Sequence, residues 1–237
     1  MVSDPDVSRH LVLYDPSERR HLDHLVAHEM GHQFGANHTF NGTTGSCGGG
    51  NRSAAHAYEP GSGSAIMAYA GICGAEDLQP HSDAYQHTDS QSAIEAWRNN
   101  AGSGGTTVNT GNNAPVVTVG ALVTIPSDTP FKLSATATDA DGDPLTYCWE
   151  QFDLGTAGPA INEATSPLFR TFNPTTSGTR FFPKQATVLG NLVDTWENMP
   201  SVARTMNFRC TVRDNRAGGG NYEWGLKQVT VVAGAFT

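Results

Sequence analysis

The chain has 237 residues, a formal net charge of −9 and only 16% charged side chains. That length holds one large domain or two modest ones, and an acidic balance without a basic stripe argues against a nucleic-acid partner, since phosphates need cations to neutralise them. No run approaches the length of a membrane span, and 26 glycines with 13 prolines suit a loop-rich extracellular protein.

Taken in chain order, "HLVLY" at residues 10–14 reads as one short strand. "DPSE" then supplies a helix start, with Asp15 as N-cap, Pro16 at the first helical position and Glu18 two residues further in. The helix is expected from Pro16 to about Phe34, and its second half carries "HEMGHQFGANH", His28 to His38. Residues four apart share a helical face, so His28 and His32 present both imidazoles to one point. Glu29 stands about 100° further round, beside that point. Gly35 is the natural stop, because glycine enters the left-handed region without a Cβ penalty, and the turn would return His38 to the same place. Three imidazoles with an open fourth position describe a catalytic zinc site, whereas structural sites are closed by four protein ligands, often cysteines. Glu29 would then take a proton from the attacking water and pass it to the leaving amine. His21 and His24, one to two turns earlier, read as partly exposed helix residues.

From His38 to Ala65 the chain is rich in Gly, Ser, Thr and Asn and reads as loop. His56, His81 and His87 fall in loops and read as surface or hydrogen-bonding residues. "SAIMAYAG" places Met67 in a short apolar turn 29 residues after His38. Met67 can form a polarizable floor beneath a metal without ligating it; a core methionine explains the residue alone equally well. The four cysteines fall two and two, which suggests disulfides and an oxidising compartment. Cys47 and Cys73 are the favoured pair, tying the loop after His38 to the turn around Met67. Cys148 should face away from Trp149, and Cys210 should point inward, so those two are not expected to bond. "SQSAIEAWRNN" reads as a closing helix, with Ser90 or Ser92 near its cap and Ile94 and Trp97 facing inward.

The pattern H-E-x-x-H-x-x-G-x-x-H followed by a methionine turn is the metzincin signature. "HEMGHQFGANHTFNG" with "YEPGSGSAIMAYAGICG" resembles the bacterial reprolysin-like branch of those zinc peptidases, and the pappalysin-like branch, which continues its motif with a similar H-T-F stretch, is the nearest rival. The resemblance spans about residues 22 to 98. It implies His28, His32 and His38 as zinc ligands and Glu29 as base. Tyr69 matches the tyrosine that astacin- and serralysin-type relatives place near the metal, where it ligates zinc or stabilises the tetrahedral intermediate; a packed turn tyrosine is the alternative. Metzincin domains usually carry a far longer segment before the zinc helix. The chain is therefore expected to be truncated at its front, without signal or propeptide, and to cleave weakly.

"NNAGSGGTTVNTGNNAP" is a linker by composition, taken as residues 101–113. Beyond it the hydrophobic period switches to two. "FKLSATATDADGDPLTYCWEQF" alternates as two strands around a turn, and "TMNFRCTVRDNRAGGGNYEWGLKQVTVVAG" as two more. An immunoglobulin-type β-sandwich is expected over 114–237. The segment resembles the Ig-like or polycystic-kidney-disease-like modules that follow catalytic domains in secreted bacterial enzymes. Residues 155–200 are irregular. In "DADGD", Asp139, Asp141 and Asp143 either coordinate calcium or simply make a tight interstrand turn.

The expected organisation is an α+β metzincin-type domain over 1–100 followed by an all-β immunoglobulin-like sandwich. The expected function is a secreted zinc endopeptidase acting on protein or peptide substrates. The rival is a non-catalytic or weakly active remnant serving as an extracellular binding or adhesion module. A zinc hydrolase acting on a non-peptide bond is the minor third reading.

Overall fold

The computed structural model describes residues 16–100, 106, 108–159 and 164–234, with the side chains of the first helix described from His24 onward. The strand expected at 10–14, Asp15, residues 101–105 and 107 of the linker, and the side chains of Glu18 and His21 lie outside the described residues.

Helix α1 spans Pro16–Gln33. It ends as glycine dictates: Gly35 adopts φ +83°, and its N–H bonds to the His32 carbonyl while the Ala36 N–H reaches back to Gly31. This Schellman arrangement satisfies two carbonyls at the helix end and turns the chain back along the helix. Leu25, Val26 and Met30 remain about half exposed, at 49%, 51% and 53%. The arc they form has no cover among the described residues. Helix α2 spans Thr88–Arg98, and its cap lies three residues before Ser90, because His87 is the N-cap and its Nδ1 accepts from the Asp89 N–H at 3.2 Å. It packs beneath the end of α1 through an edge-to-face contact of Phe34 and Trp97, 4.8 Å between centroids.

The described residues of the second half form eight strands: β1 (Val116–Thr118), β2 (Val123–Pro126), β3 (Phe131–Ser134), β4 (Thr136–Thr138), β5 (Thr146–Gln151), β6 (Thr179–Phe182), β7 (Arg204–Arg213) and β8 (Tyr222–Val232), with a short helix α3 at Gln185–Leu189. One sheet has the order β2-β8-β7-β5, and the pairs β1–β4 and β3–β6 are separate. "FKLSATAT" is thus split rather than one strand. Ala135 donates to Gly178, and on either side of it β3 pairs with β6 while β4 pairs with β1. Between the four-stranded sheet and the β3–β6 pair lies one core, including Phe131, Phe169, Phe182, Phe208 and Trp149. Burying each of these aromatic side chains contributes about 2–3 kcal/mol. Phe182 sits 5.0 Å from Phe131 and 4.8 Å from Phe208, centroid to centroid.

The other face of the four-stranded sheet is covered by the first half of the chain. Cys148 points away from that core, as its alternation requires, yet is buried with Ala65 and Tyr85. Cys210 points into the core opposite Trp149. Both thiols are free. Glu150, fully buried, accepts from the Thr88 N–H at 2.9 Å and from the Thr211 hydroxyl at 2.5 Å. Arg213 donates to the Gln86 carbonyl and Gln91, and Arg209 stacks between Phe152 and Trp224.

This polar seam has a pH signature. Burial, reinforced by facing Arg209 and Arg213, lowers His87 to about 3 from 6.5. Burial raises Glu150 to about 7 from 4.5, against the pull of Arg213 and its hydrogen bonds. Below pH 6.5 unfolding takes up a proton at His87, and above pH 4.5 it releases one at Glu150, so the two offset within that window. Below pH 4.5 the His87 contribution is no longer offset by Glu150, and it lowers stability toward pH 3 by a limiting ~1.4 kcal/mol per pH unit. His87→Asn keeps an N-cap acceptor and should remove that slope. Its stability should instead rise as pH drops from 6.5 to 4.5. Urea titrations of both proteins across this range check it; parallel profiles would refute it.

Candidate metal centre

Two local devices deliver the three histidines of the motif. His28 and His32 share one face of α1, a turn apart. His38 arrives through the glycine turn at Gly35. The His32 Nε2 lies 3.1 Å from the Nε2 of His28 and 3.1 Å from that of His38. Nitrogens about 2.05 Å from one ion at tetrahedral angles stand roughly 3.3 Å apart, so the three fit a zinc-sized cation.

The opposite ring nitrogens settle the tautomers. Nδ1 of His28 donates to the Ile66 carbonyl at 2.7 Å, Nδ1 of His32 to Ala36 at 2.9 Å and Nδ1 of His38 to Asn51 at 2.6 Å. A carbonyl only accepts, so each Nδ1 carries the hydrogen. All three Nε2 lone pairs therefore converge, an arrangement that is repulsive unless a cation sits among them. Backbone carbonyls behind ligating histidines are the usual way such rings are oriented. Burial also lowers the pKa of His28 and of His38, which keeps both imidazoles neutral and able to ligate.

Met67 is fully buried below this cluster, and its carbonyl accepts from the Thr39 N–H. A Cβ at Gly31 would collide with the Met67 sulfur. The glycine inside "HEMGH" is thus where the turn meets the helix. Gly31→Ala should therefore displace Met67 and destabilise the fold by about 1–3 kcal/mol, measurable as a shift in the denaturation midpoint; an unchanged midpoint would show that the sulfur simply moves aside.

Tyr69 stands beside the histidines, its ring 4.5 Å from that of His38 and 5.6 Å from that of His28. Burial, with Glu29 nearby, raises its pKa, so its hydroxyl remains a donor. Glu29 is exposed on the same side. It lines an open cleft of about 610 Å³, mouth included, with His24, Leu25, His28, Ile66 and Tyr69. Cys47 and Cys73 are bonded to each other and pack with Phe40 and Tyr69 against the wall behind His38.

Residues 13–91 match the family described as Metallo-peptidase family M12B Reprolysin-like. The match supports a zinc-dependent metallopeptidase of the metzincin type. It covers about a third of the chain and includes all three histidines, Glu29 and Met67. No curated protein matched the chain. No helix among the described residues is long and apolar enough to cross a membrane.

Of the other histidines, His56 pairs with Asp89 at 2.8 Å, and His87 is the buried helix cap; neither joins the metal cluster. Asp139, Asp141 and Asp143 do converge, with one oxygen from each within 4.8 Å of the others. The Asp139 carboxylate accepts from the Asp141 and Asp143 N–H groups, and Arg216 lies 3.7 Å from Asp141 and 3.5 Å from Asp143. Sequence reasoning missed Glu59 and Glu150, both buried. Nothing local marks either, although Glu59 lies within the quoted "YEPGSGSAIMAY".

Proposed function

We propose that the protein is a secreted zinc endopeptidase of the bacterial reprolysin-like branch, cleaving protein or peptide substrates. The observation that carries this reading is the convergence of three Nε2 atoms beside an exposed carboxylate in an open cleft. His28, His32 and His38 would hold the ion, which when bound polarises the scissile carbonyl and acidifies the attacking water. Glu29 would accept that water's proton and deliver it to the leaving amine. The Tyr69 hydroxyl would donate to the oxygen on which charge develops, and Met67 would floor the site. Secretion belongs to the same reading, supported by the Cys47–Cys73 bond.

In this reading residues 1–100 form the catalytic domain and 114–237 an Ig-like module joined by the 101–113 linker. At "DADGD" the Arg216 guanidinium favours a charge-balanced turn, with calcium as the competing occupant. Elemental analysis of the purified chain combined with cleavage of a peptide library tests the proposal. One equivalent of zinc with chelator-sensitive cleavage supports it. Full zinc with no cleavage of any peptide would favour the rival, a binding or adhesion module built on a silent site.

A further inference from the structure

Glu59 is an acid in an unusual place. It is 1% exposed, no described cation pairs with it, and burial raises its pKa. A buried carboxylate without a cation is costly unless its oxygens are hydrogen-bonded. Here the bonds divide between two segments. Oε1 accepts from the Thr39 hydroxyl at 2.6 Å. Oε2 accepts from the Ser64 N–H at 2.8 Å, the Ala65 N–H at 3.2 Å and the Ser64 hydroxyl at 3.3 Å.

Those segments are the two that bear on the metal centre. Thr39 directly follows His38. Ala65 directly precedes Ile66, whose carbonyl orients the His28 ring, and Met67 comes next. The Glu59 backbone adds to the junction: its N–H donates to the Thr39 carbonyl at 2.8 Å, and its carbonyl accepts from Asn41 at 2.7 Å. The loop over the carboxylate is close-fitting. Gly63 adopts φ +64°, and a Cβ there would lie 2.7 Å from the Ala68 Cβ and 3.0 Å from the Glu59 Cβ.

We propose that Glu59 is a positioning residue of the metal centre, clamping the segment that carries His38 to the segment that orients His28 and carries Met67. This rests on the zinc reading above and deepens it. The clamp sets the separation of two ligands without touching the ion. A glutamine can keep most of it, since its amide oxygen accepts from Ser64 and Ala65 while its amide N–H donates to the Thr39 oxygen. An alanine keeps none.

The test uses the full chain loaded with cobalt(II), whose visible spectrum reads ligand geometry, and follows metal affinity by competition with a chelator. Glu59→Ala, folded by circular dichroism, should bind metal roughly 10–100-fold more weakly and show a shifted cobalt band. Glu59→Gln should restore both. Where Glu59→Ala does not fold, Thr39→Val, which removes only the Oε1 arm, should shift the band and weaken binding. Parental affinity and spectrum in the folded variant overturn the proposal, as does an equal loss in the Ala and Gln forms. A parent chain that takes up no metal overturns the zinc reading and this inference with it; a parent that binds tightly beside unaffected variants overturns this inference alone.

Discussion

Glu29→Gln is expected to leave zinc in place and to lower peptide hydrolysis by roughly 10²–10⁴-fold, the usual worth of a general base. The amide has the shape of the carboxylate and lacks its basicity. Glu29 contributes no atom to the converging histidine nitrogens, whose Nδ1 anchors are all backbone carbonyls, so metal uptake should not change. The measurement is the rate at equal zinc content, determined by elemental analysis of the same samples. An unchanged rate removes Glu29 from the mechanism and leaves the metal site intact as a separate conclusion.

His32→Ala is expected to abolish stoichiometric zinc. His32 is the middle member of the cluster, 3.1 Å from each of the other two Nε2 atoms, and its loss leaves two ligands with a gap between them. Stability reports the same event independently. Zinc at a hundred times its dissociation constant stabilises a binding protein by about 2.7 kcal/mol. The parent should show that increment in thermal or urea denaturation, and the variant should show none. A variant that keeps a full equivalent of zinc would mean that the ligand set is wrong.

The parts of this molecule that could be read in the sequence are those whose causes are local. Helix α1 stops at the glycine turn because that signal acts within one turn of the chain. The histidine cluster follows from i,i+4 spacing and a left-handed glycine. The opposite orientations of Cys148 and Cys210 follow from strand alternation. Illegible were the features whose causes lie far along the chain. Glu59 looks like a surface residue until Thr39, 20 positions away, is brought to it. Glu150 looks like the solvent side of a strand, yet Thr88, 62 positions away, donates to it. The split of "FKLSATAT" at Ala135 depends on Gly178, which periodicity does not contain.

The seam between the half that carries the histidine cluster and the sheet also bears on how the chain reaches its fold. Its polar contacts run from Glu150 to Thr88, from Arg213 to Gln86 and Gln91, and from Arg209 to Thr88 and Ser92, with few large aliphatic side chains among them. Each of these groups is well hydrated while the halves are apart. A half-formed molecule therefore presents a wettable face, unlike the sticky one that makes folding intermediates aggregate. Docking strips water from charges whose mutual attraction only roughly repays the loss. The seam accordingly contributes little raw cohesion. What it supplies is selectivity: only one register brings Glu150 to the Thr88 N–H and Arg213 to the Gln86 carbonyl together.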